Sequence, residues 1–323
     1  MKAVITTGYG SPDVFKIEEV KKPQPKPNEI LVQINAASIT KADTMMRTGK
    51  PYLGRLFLGL FKPKHRVWGT GFAGVVTAIG SEVSRFKKGD KVFGESTQNF
   101  GTYAQYVALP AEGIVAHLPP SMSFDEAAGL CDGGLASLNF LSNLGQIKAG
   151  QKVLINGASG SLGCAAVQIA KHLGTDVTGV CSEPNMALVT SLGANQVIDY
   201  NQSDFTQNNE KYHFIYDTVG THSYYQCRNV LTTKGIYASP VLSKALLCDT
   251  LFANLFNQQK TKFSATGALP LKESKRLLNM LIAILNTGHF KSVVDKAYPL
   301  ENIIDAHRYI DTGRKKGNVV LKP

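Results

Sequence analysis

The chain has no apolar run approaching the roughly 18 uninterrupted residues that a membrane span requires, so no spanning segment is expected. It is also poor in organised cysteine. The five cysteines, at 131, 164, 181, 227 and 248, form neither a CxxC pair nor an even framework, which excludes a disulfide scaffold and favours reduced thiols in the cytoplasm. The opening MKAVITTGYG lacks the apolar core of a signal peptide and reads as a strand and turn, so secretion is not expected. Internal repeats and low-complexity tracts are absent, and the one proline-rich stretch, KKPQPKP at 21–27, reads as an extended connector. Acidic residues are the minority charge, 24 Asp and Glu against 35 Lys and Arg, for a net charge of +11. The surplus lies in short clusters: Lys21, Lys22 and Lys26; Lys62, Lys64, His65 and Arg66; Lys87 and Lys88; Arg314, Lys315 and Lys316. None is a long basic tract interleaved with aromatics. Solvated lysines and steering of a phosphorylated cofactor account for it, and specific nucleic-acid recognition is not expected.

What is present suits a soluble enzyme: 43% apolar and 18% charged residues in a 323-residue chain, enough for two ordinary domains. Two stretches are unusually apolar. Leu277–Leu285 (LLNMLIAIL) is apolar nearly all round and reads as a helix buried in the core or at a subunit contact. Tyr52–Phe61 (YLGRLFLGLF) is shorter and holds Arg55; covering a substrate pocket and forming a core or partly exposed loop both remain open for it.

Residues 153–174 (VLINGASGSLGCAAVQIAKHLG) carry the most information. An apolar strand from Lys152 to Ile155 runs into Gly157, Gly160 and Gly163, and Leu162, Ala165, Ala166, Ile169, Ala170 and Leu173 then recur at helical spacing. Glycines at a strand-to-helix junction let phosphate oxygens approach helix-start N–H groups and the positive end of the helix dipole. The spacing is GxxGxxG rather than GxGxxG, so by itself it is also compatible with a tight turn that holds no ligand. Further strands follow at Asp176–Cys181, Gln196–Tyr200, Phe214–Asp217, Gly235–Ala238 and Lys262–Thr266, with a short helix at Ala187–Leu192. This alternation predicts an α/β domain with a doubly wound parallel sheet, the glycine turn lying at the carboxyl end of its first strand. The part before it differs in texture. Short strand-like runs at Glu29–Ala37, Phe72–Ile79, Asp90–Phe93 and Thr102–Leu109 predict a mostly antiparallel barrel. Ser123 and Glu126 form a capping-box pattern opening a helix, and the boundary is placed near residue 122.

Together these halves resemble the medium-chain dehydrogenase/reductase superfamily, on its zinc-independent quinone oxidoreductase (zeta-crystallin-like) branch. The resemblance runs through MKAVITTGYG, GTGFAGVVTAIGSEVSRFKKGDKVFG at 69–94, FGTYAQYV at 100–107, the glycine turn, and YPLENIIDAHRYIDTGRKKGNVVL at 298–321. It implies a GroES-like β-barrel catalytic domain of residues 1–122 and 269–323, a Rossmann cofactor domain of residues 123–268, and a cleft at their junction. Zinc-containing relatives carry a Cys and a His in the barrel and a Gly-His-Glu before the AGVV strand. Here SITKAD places Thr40 and GTGFAG places Thr70 and Gly71, and the four-cysteine lobe is missing. No set of about three ligands can be assembled at the matching positions, so no metal is expected, and Cys131 and Cys164 read as ordinary core or surface residues.

The resemblance implies direct hydride transfer from a nicotinamide to a quinone or an alkene conjugated to a carbonyl, with a hydrogen-bond donor for the developing oxyanion. Thr40, standing where relatives have Asn in SxNxxD, and Tyr52 are the candidate catalytic hydroxyls; Asp43 is read as structural. Met45 stands where some quinone reductases carry a Tyr, and Ala136 falls where GLT is usual. For the cofactor, Gly157, Ala158, Ser159, Gly160, Ser161, Leu162 and Gly163 should surround the pyrophosphate, with the amides of Ser159 to Leu162 facing it. Small residues at Cys181 and Ser182, with Asn185 and with Tyr200 beside the phosphate, favour NADPH, whereas Glu183 and the lack of a basic residue near 185 pull toward NADH. Val219 and Gly220 are assigned to the adenosine, Ser239 to the nicotinamide ribose, and Lys316 and Asn318 to closure over the cofactor. A homodimer is implied, with Val241–Phe256 contributing to its contact. Two alternatives stay open: an enoyl-thioester or other enone reductase on the same scaffold, and a non-catalytic nucleotide-binding protein with weak nucleic-acid affinity.

Overall fold

Along Glu29–Ile39 every residue except Gln33 and Asn35 is buried, and this strand is paired on both edges. It organises the first of two units in the computed structural model, which describes residues 1–243, 246–250 and 258–323. That unit comprises Met1–Asp132 and Ser292–Pro323. Its strands are β1 (Lys2–Thr6), β2 (Phe15–Glu19), β3 (Glu29–Ile39), β4 (Gly71–Ile79), β5 (Lys91–Glu95), β6 (Tyr106–Pro110) and β7 (Ile114–His117). β1 and β2 form an antiparallel hairpin, and β4, β5 and β7 continue outward from β3 with antiparallel pairing throughout. The core between them holds Ile30, Val32, Phe72, Val76, Val92 and Tyr103. The expected box at Ser123 forms: Glu126 N–H donates to Ser123 Oγ at 3.3 Å and Ser123 N–H to Glu126 Oε2 at 2.8 Å, opening the helix Phe124–Ala128.

The second unit, Gly133–Lys291, contains β8 (Lys152–Asn156), β9 (Asp176–Cys181), β10 (Gln196–Asp199), β11 (Tyr212–Asp217), β12 (Leu231–Ser239) and β13 (Lys260–Phe263). They form one sheet in the order β10-β9-β8-β11-β12-β13, and every pair is parallel. The order reverses beside β8, so two halves wind in opposite directions from the strand that feeds the glycine turn. Leu271–Leu285 is a helix with one buried face (Leu277, Leu278, Leu281, Ile284, Leu285), while Asn279 and Ala283 are exposed; it is amphipathic rather than apolar all round. Half of the stretch Val241–Phe256, assigned to a dimer contact, lies outside the described residues.

The chain then returns to the first unit as β14 (Val294–Pro299) and β15 (Asn318–Lys322), a parallel pair. β15 joins β3 at Ala37–Ile39, and β6 occupies the same strand's other end at Glu29–Gln33. Between β14 and β15 the helix Ile303–Asp311 buries His307 completely. Its ring lies 4.7 Å from that of Phe15 and 6.0 Å from that of Tyr103, and neither nitrogen has a hydrogen-bond partner among the described residues. Burial, reinforced by the Arg47 charge, holds its pKa down to about 3. The unfolded chain takes up this proton below its ordinary value of 6.5 and the folded one does not, so stability is lost as pH falls from about 6.5 toward 3. His307→Leu, which removes an unsatisfied polar group, should stabilise the fold by about 1–3 kcal/mol at pH 7. The gain should grow at pH 5, as thermal unfolding at the two pH values would show.

Candidate functional site

The turn after β8 is fixed by two glycines and leaves a third free of steric demand. Gly157 adopts φ +76°, and a Cβ there would lie 2.4 Å from Val219 Cγ2 and 2.6 Å from Thr218 Oγ1. A Cβ on Gly163 would stand 2.1 Å from the Gly157 carbonyl oxygen and 2.6 Å from Ala158 Cα, so the helix Ser161–His172 packs on the turn only because that residue has no side chain. At Gly160 a Cβ would meet only Gly157 O, at 3.4 Å. The fold therefore does not require glycine at 160, and the space above it stays open. Gly157 and Ala158 N–H both donate to Val180 O, tying the turn to β9, and Gly160 N–H donates to Gly157 O at 3.0 Å. Gly160 thus contributes open space rather than the free amide expected of it. Beyond it, the first turn of the helix Ser161–His172 stands at the positive end of its dipole.

The carboxyl ends of the parallel strands bring most of the other nucleotide candidates to the same sheet edge. After β9, Asn185 Nδ2 donates to Ser182 Oγ at 3.1 Å and to Ser159 Oγ at 3.3 Å, joining three of the assigned residues in one cluster. Asn185 Oδ1 is buried and without a partner among the described residues. Glu183 is exposed, and Tyr200, just past β10, is 60% exposed. Ser239 ends β12 almost fully buried, its Oγ accepting from Val241 N–H at 3.1 Å. Lys316 and Asn318 belong to the first unit: Lys316 is exposed with its N–H donating to Asp295 Oδ2, and Asn318 opens β15 against Gly129.

Sequence reasoning passed over Asp217, the fully buried last residue of β11. Its Oδ1 accepts from Asn156 Nδ2 at 2.8 Å, Gly220 N–H at 2.9 Å and Val219 N–H at 3.2 Å; its Oδ2 accepts from His222 N–H and Tyr237 OH, both at 3.0 Å. One carboxylate thereby shapes the loop carrying Val219 and Gly220. The available signal was an aspartate closing an apolar strand directly before a glycine-containing loop.

In the first unit Thr40 and Asp43 form a capping box for the helix Lys41–Thr48. Thr40 Oγ1 donates to Asp43 Oδ2 at 2.7 Å and accepts from Asp43 N–H at 3.2 Å, so its one proton is committed to Asp43. Tyr52 is 65% exposed, with the Arg55 guanidinium 4.9 Å from its ring centroid. Asp43, fully buried, is held up to about 6 by burial, against the opposing pull of the Thr40 hydrogen bonds. Glu95, at the end of β5, is pushed up to about 8 by burial and by the charges of Asp132 and Asp43. Both groups bind protons more tightly folded than unfolded. Their stabilisation is complete below the ordinary carboxylate values of 3.8 and 4.5 and drains as pH rises through about 6 and about 8. Glu95→Gln, which cannot ionise, should therefore gain about 2–4 kcal/mol over the parent at pH 9 and almost nothing at pH 4, measured by urea unfolding.

Cys131 and Cys164 are buried, and burial beside Glu95 and Asp132 raises the Cys131 thiol well above its ordinary value. Among the described residues no group of three or more His, Cys, Asp and Glu is arranged to hold a metal ion, and no helix is long and apolar enough to cross a membrane.

Comparison with known proteins agrees with this geometry. Residues 26–120 match the alcohol dehydrogenase GroES-like domain, and residues 192–321 match the zinc-binding dehydrogenase family. A chloroplastic quinone-oxidoreductase homolog of Spinacia oleracea is 32% identical across all of this chain and 98% of its own length. The 2-methylene-furan-3-one reductase of Solanum lycopersicum is 31% identical over all of this chain and 79% of its own. The structure of the Escherichia coli quinone oxidoreductase complexed with NADPH superposes with a TM-score of 0.85 at 26% identity, covering both chains completely.

Proposed function

This chain belongs to the quinone oxidoreductase branch of the medium-chain dehydrogenase/reductase superfamily, and from that premise we propose that it is a zinc-independent NADPH-dependent enzyme that reduces a quinone or an activated alkene. The observation that carries the reading is the edge of β8 and β9. Gly160 leaves open space at a helix start, next in sequence to the Ser159 hydroxyl that joins Ser182 and Asn185. These residues fit the nucleotide. Helix-start amides would hold the pyrophosphate, the hydroxyls of Ser159 and Ser182 and the Asn185 amide would bind the adenosine ribose and its 2′-phosphate, and the orphaned Asn185 Oδ1 would accept from a ribose hydroxyl. Among the described residues no carboxylate belongs to the hydrogen-bonded cluster, and Glu183 stands exposed beside it.

Bound nicotinamide supplies the hydride, and the protein supplies orientation and a donor to the acceptor oxygen. Of the two candidate hydroxyls, Tyr52 is the one open to a ligand, since Thr40 is closed in its capping box. The proposal includes a homodimer working in the cytoplasm. It is supported at the acceptor by relatives named for reducing quinones and for a 2-methylene-furan-3-one. Cofactor titration tests the nucleotide half. NADPH should bind more tightly than NADH, and Ser182→Asp should weaken NADPH by about ten- to a hundredfold while sparing NADH. An unchanged ratio of the two affinities would remove the 2′-phosphate from this cluster.

A further inference from the structure

Between Asp43 and Glu82 the sequence has no acidic residue; of its cations Arg47 is buried against Asp311 and Arg66 is paired with Glu18, while Lys50, Lys62 and Lys64 are exposed around the segment that holds Arg55. Within that stretch Leu56 is 61% exposed, Phe57 80%, Leu60 56% and Phe61 89%, four large apolar side chains on one short segment. Scattered exposed leucines are ordinary, but a contiguous exposed apolar group bordered by one sign of charge marks an interaction surface. The segment is held from beneath. The Arg55 guanidinium lies over the Tyr9 ring at 4.3 Å and its Nε donates to Gly49 O at 3.2 Å, while Tyr9 OH donates to Gly59 O at 2.6 Å. Lys64 N–H closes the loop onto Leu58 O at 2.8 Å. The base is tied down and the apolar side chains are turned outward.

We infer that residues 55–64 dock this protein onto an anionic lipid surface, with Leu56, Phe57, Leu60 and Phe61 entering the interfacial layer and Lys50, Lys62 and Lys64 meeting the headgroup phosphates. Charge decides the occupant. A second copy meeting this face across a two-fold axis would set one basic patch against another of the same sign. An anionic bilayer offers apolar depth and negative charge together at every point of its surface, which is the pairing that peripheral docking uses. The inference does not depend on the reaction proposed above.

The test is co-sedimentation of the full chain with vesicles of phosphatidylcholine alone and with about one-third phosphatidylglycerol, at low and high salt. The protein should bind the anionic vesicles, weaken with salt, and leave neutral vesicles largely unbound. Phe57→Ser with Phe61→Ser, and separately Lys62→Glu with Lys64→Glu, should each lower affinity about tenfold or more. Their thermal unfolding should be unchanged, because all four side chains are exposed. Failure to bind anionic vesicles, equal binding to neutral ones, or binding that survives both double variants would overturn the inference. So would gel filtration showing that the phenylalanine pair converts an oligomer into a monomer, which would make the patch a protein contact.

Discussion

Gly163→Ala is expected to destabilise the second unit by about 2–4 kcal/mol and to abolish measurable nucleotide binding, whereas Gly160→Ala should leave stability unchanged and weaken NADPH about tenfold or more. The difference follows from what each new methyl would meet. At Gly163 it would lie 2.1 Å from the Gly157 carbonyl oxygen and 2.6 Å from Ala158 Cα, both backbone atoms that cannot rotate away. The helix Ser161–His172 must then move off the turn, taking its first-turn amides with it. At Gly160 the residue is already extended, with φ −78° and ψ 177°, and the methyl meets protein only at an ordinary 3.4 Å. Anything it obstructs is therefore a ligand. Calorimetric unfolding together with fluorescence titration of NADPH would separate the two variants. A Gly160→Ala protein that binds NADPH as tightly as the parent would mean that the phosphates do not lie over this turn.

Asp217→Ala should cost about 3–5 kcal/mol, because a buried charged acceptor is removed from beneath five donors, three of them backbone N–H groups. Alanine leaves those donors facing an apolar surface, and water must enter or the loop must rearrange. Asp217→Asn keeps the shape but turns one acceptor into a donor pointing at other donors, so it should recover only part of the loss. Since Val219 and Gly220 are held by the same carboxylate, nucleotide affinity should fall in both variants. Urea unfolding measures the effect directly. A loss below about 1 kcal/mol for alanine would show that the network contributes no more than one ordinary neutral hydrogen bond.

The parallel sheet was legible because its central strands β8, β9 and β11 are buried on both faces and read as apolar runs between turn residues. Asp176–Cys181 forms with the bounds read from its sequence. β12 begins at Leu231, four residues before the reading, since Thr233 and Lys234 are exposed and polar and the pairing with β11 slips between Tyr212 and Phe214. β10 stops at Asp199, and Tyr200 lies beyond it. The four-residue β7 is too short to give a periodic signal. Within the site, glycine spacing located the turn but did not distinguish the glycine needed for packing from the one that leaves room. That distinction rests on which backbone atoms approach, a tertiary fact. Asp217, Glu95 and His307 were illegible for a related reason. Their behaviour comes from burial and from the charges and donors that the fold collects around them, and an isolated Asp, Glu or His in a sequence carries no mark of either. The capping box at Ser123 was readable from its Ser-x-x-Glu spacing, while Thr40 and Asp43 make the same reciprocal cap inside a motif that also invites a catalytic reading.

The reaction proposed for this protein is hydride transfer from NADPH to a conjugated acceptor without a metal. It is met most directly by following NADPH oxidation by the purified protein with a small para-quinone, with and without a metal chelator. Turnover that the chelator leaves unchanged is the predicted result. Absence of turnover in a sample that binds NADPH, or turnover that the chelator abolishes and added zinc restores, would contradict it.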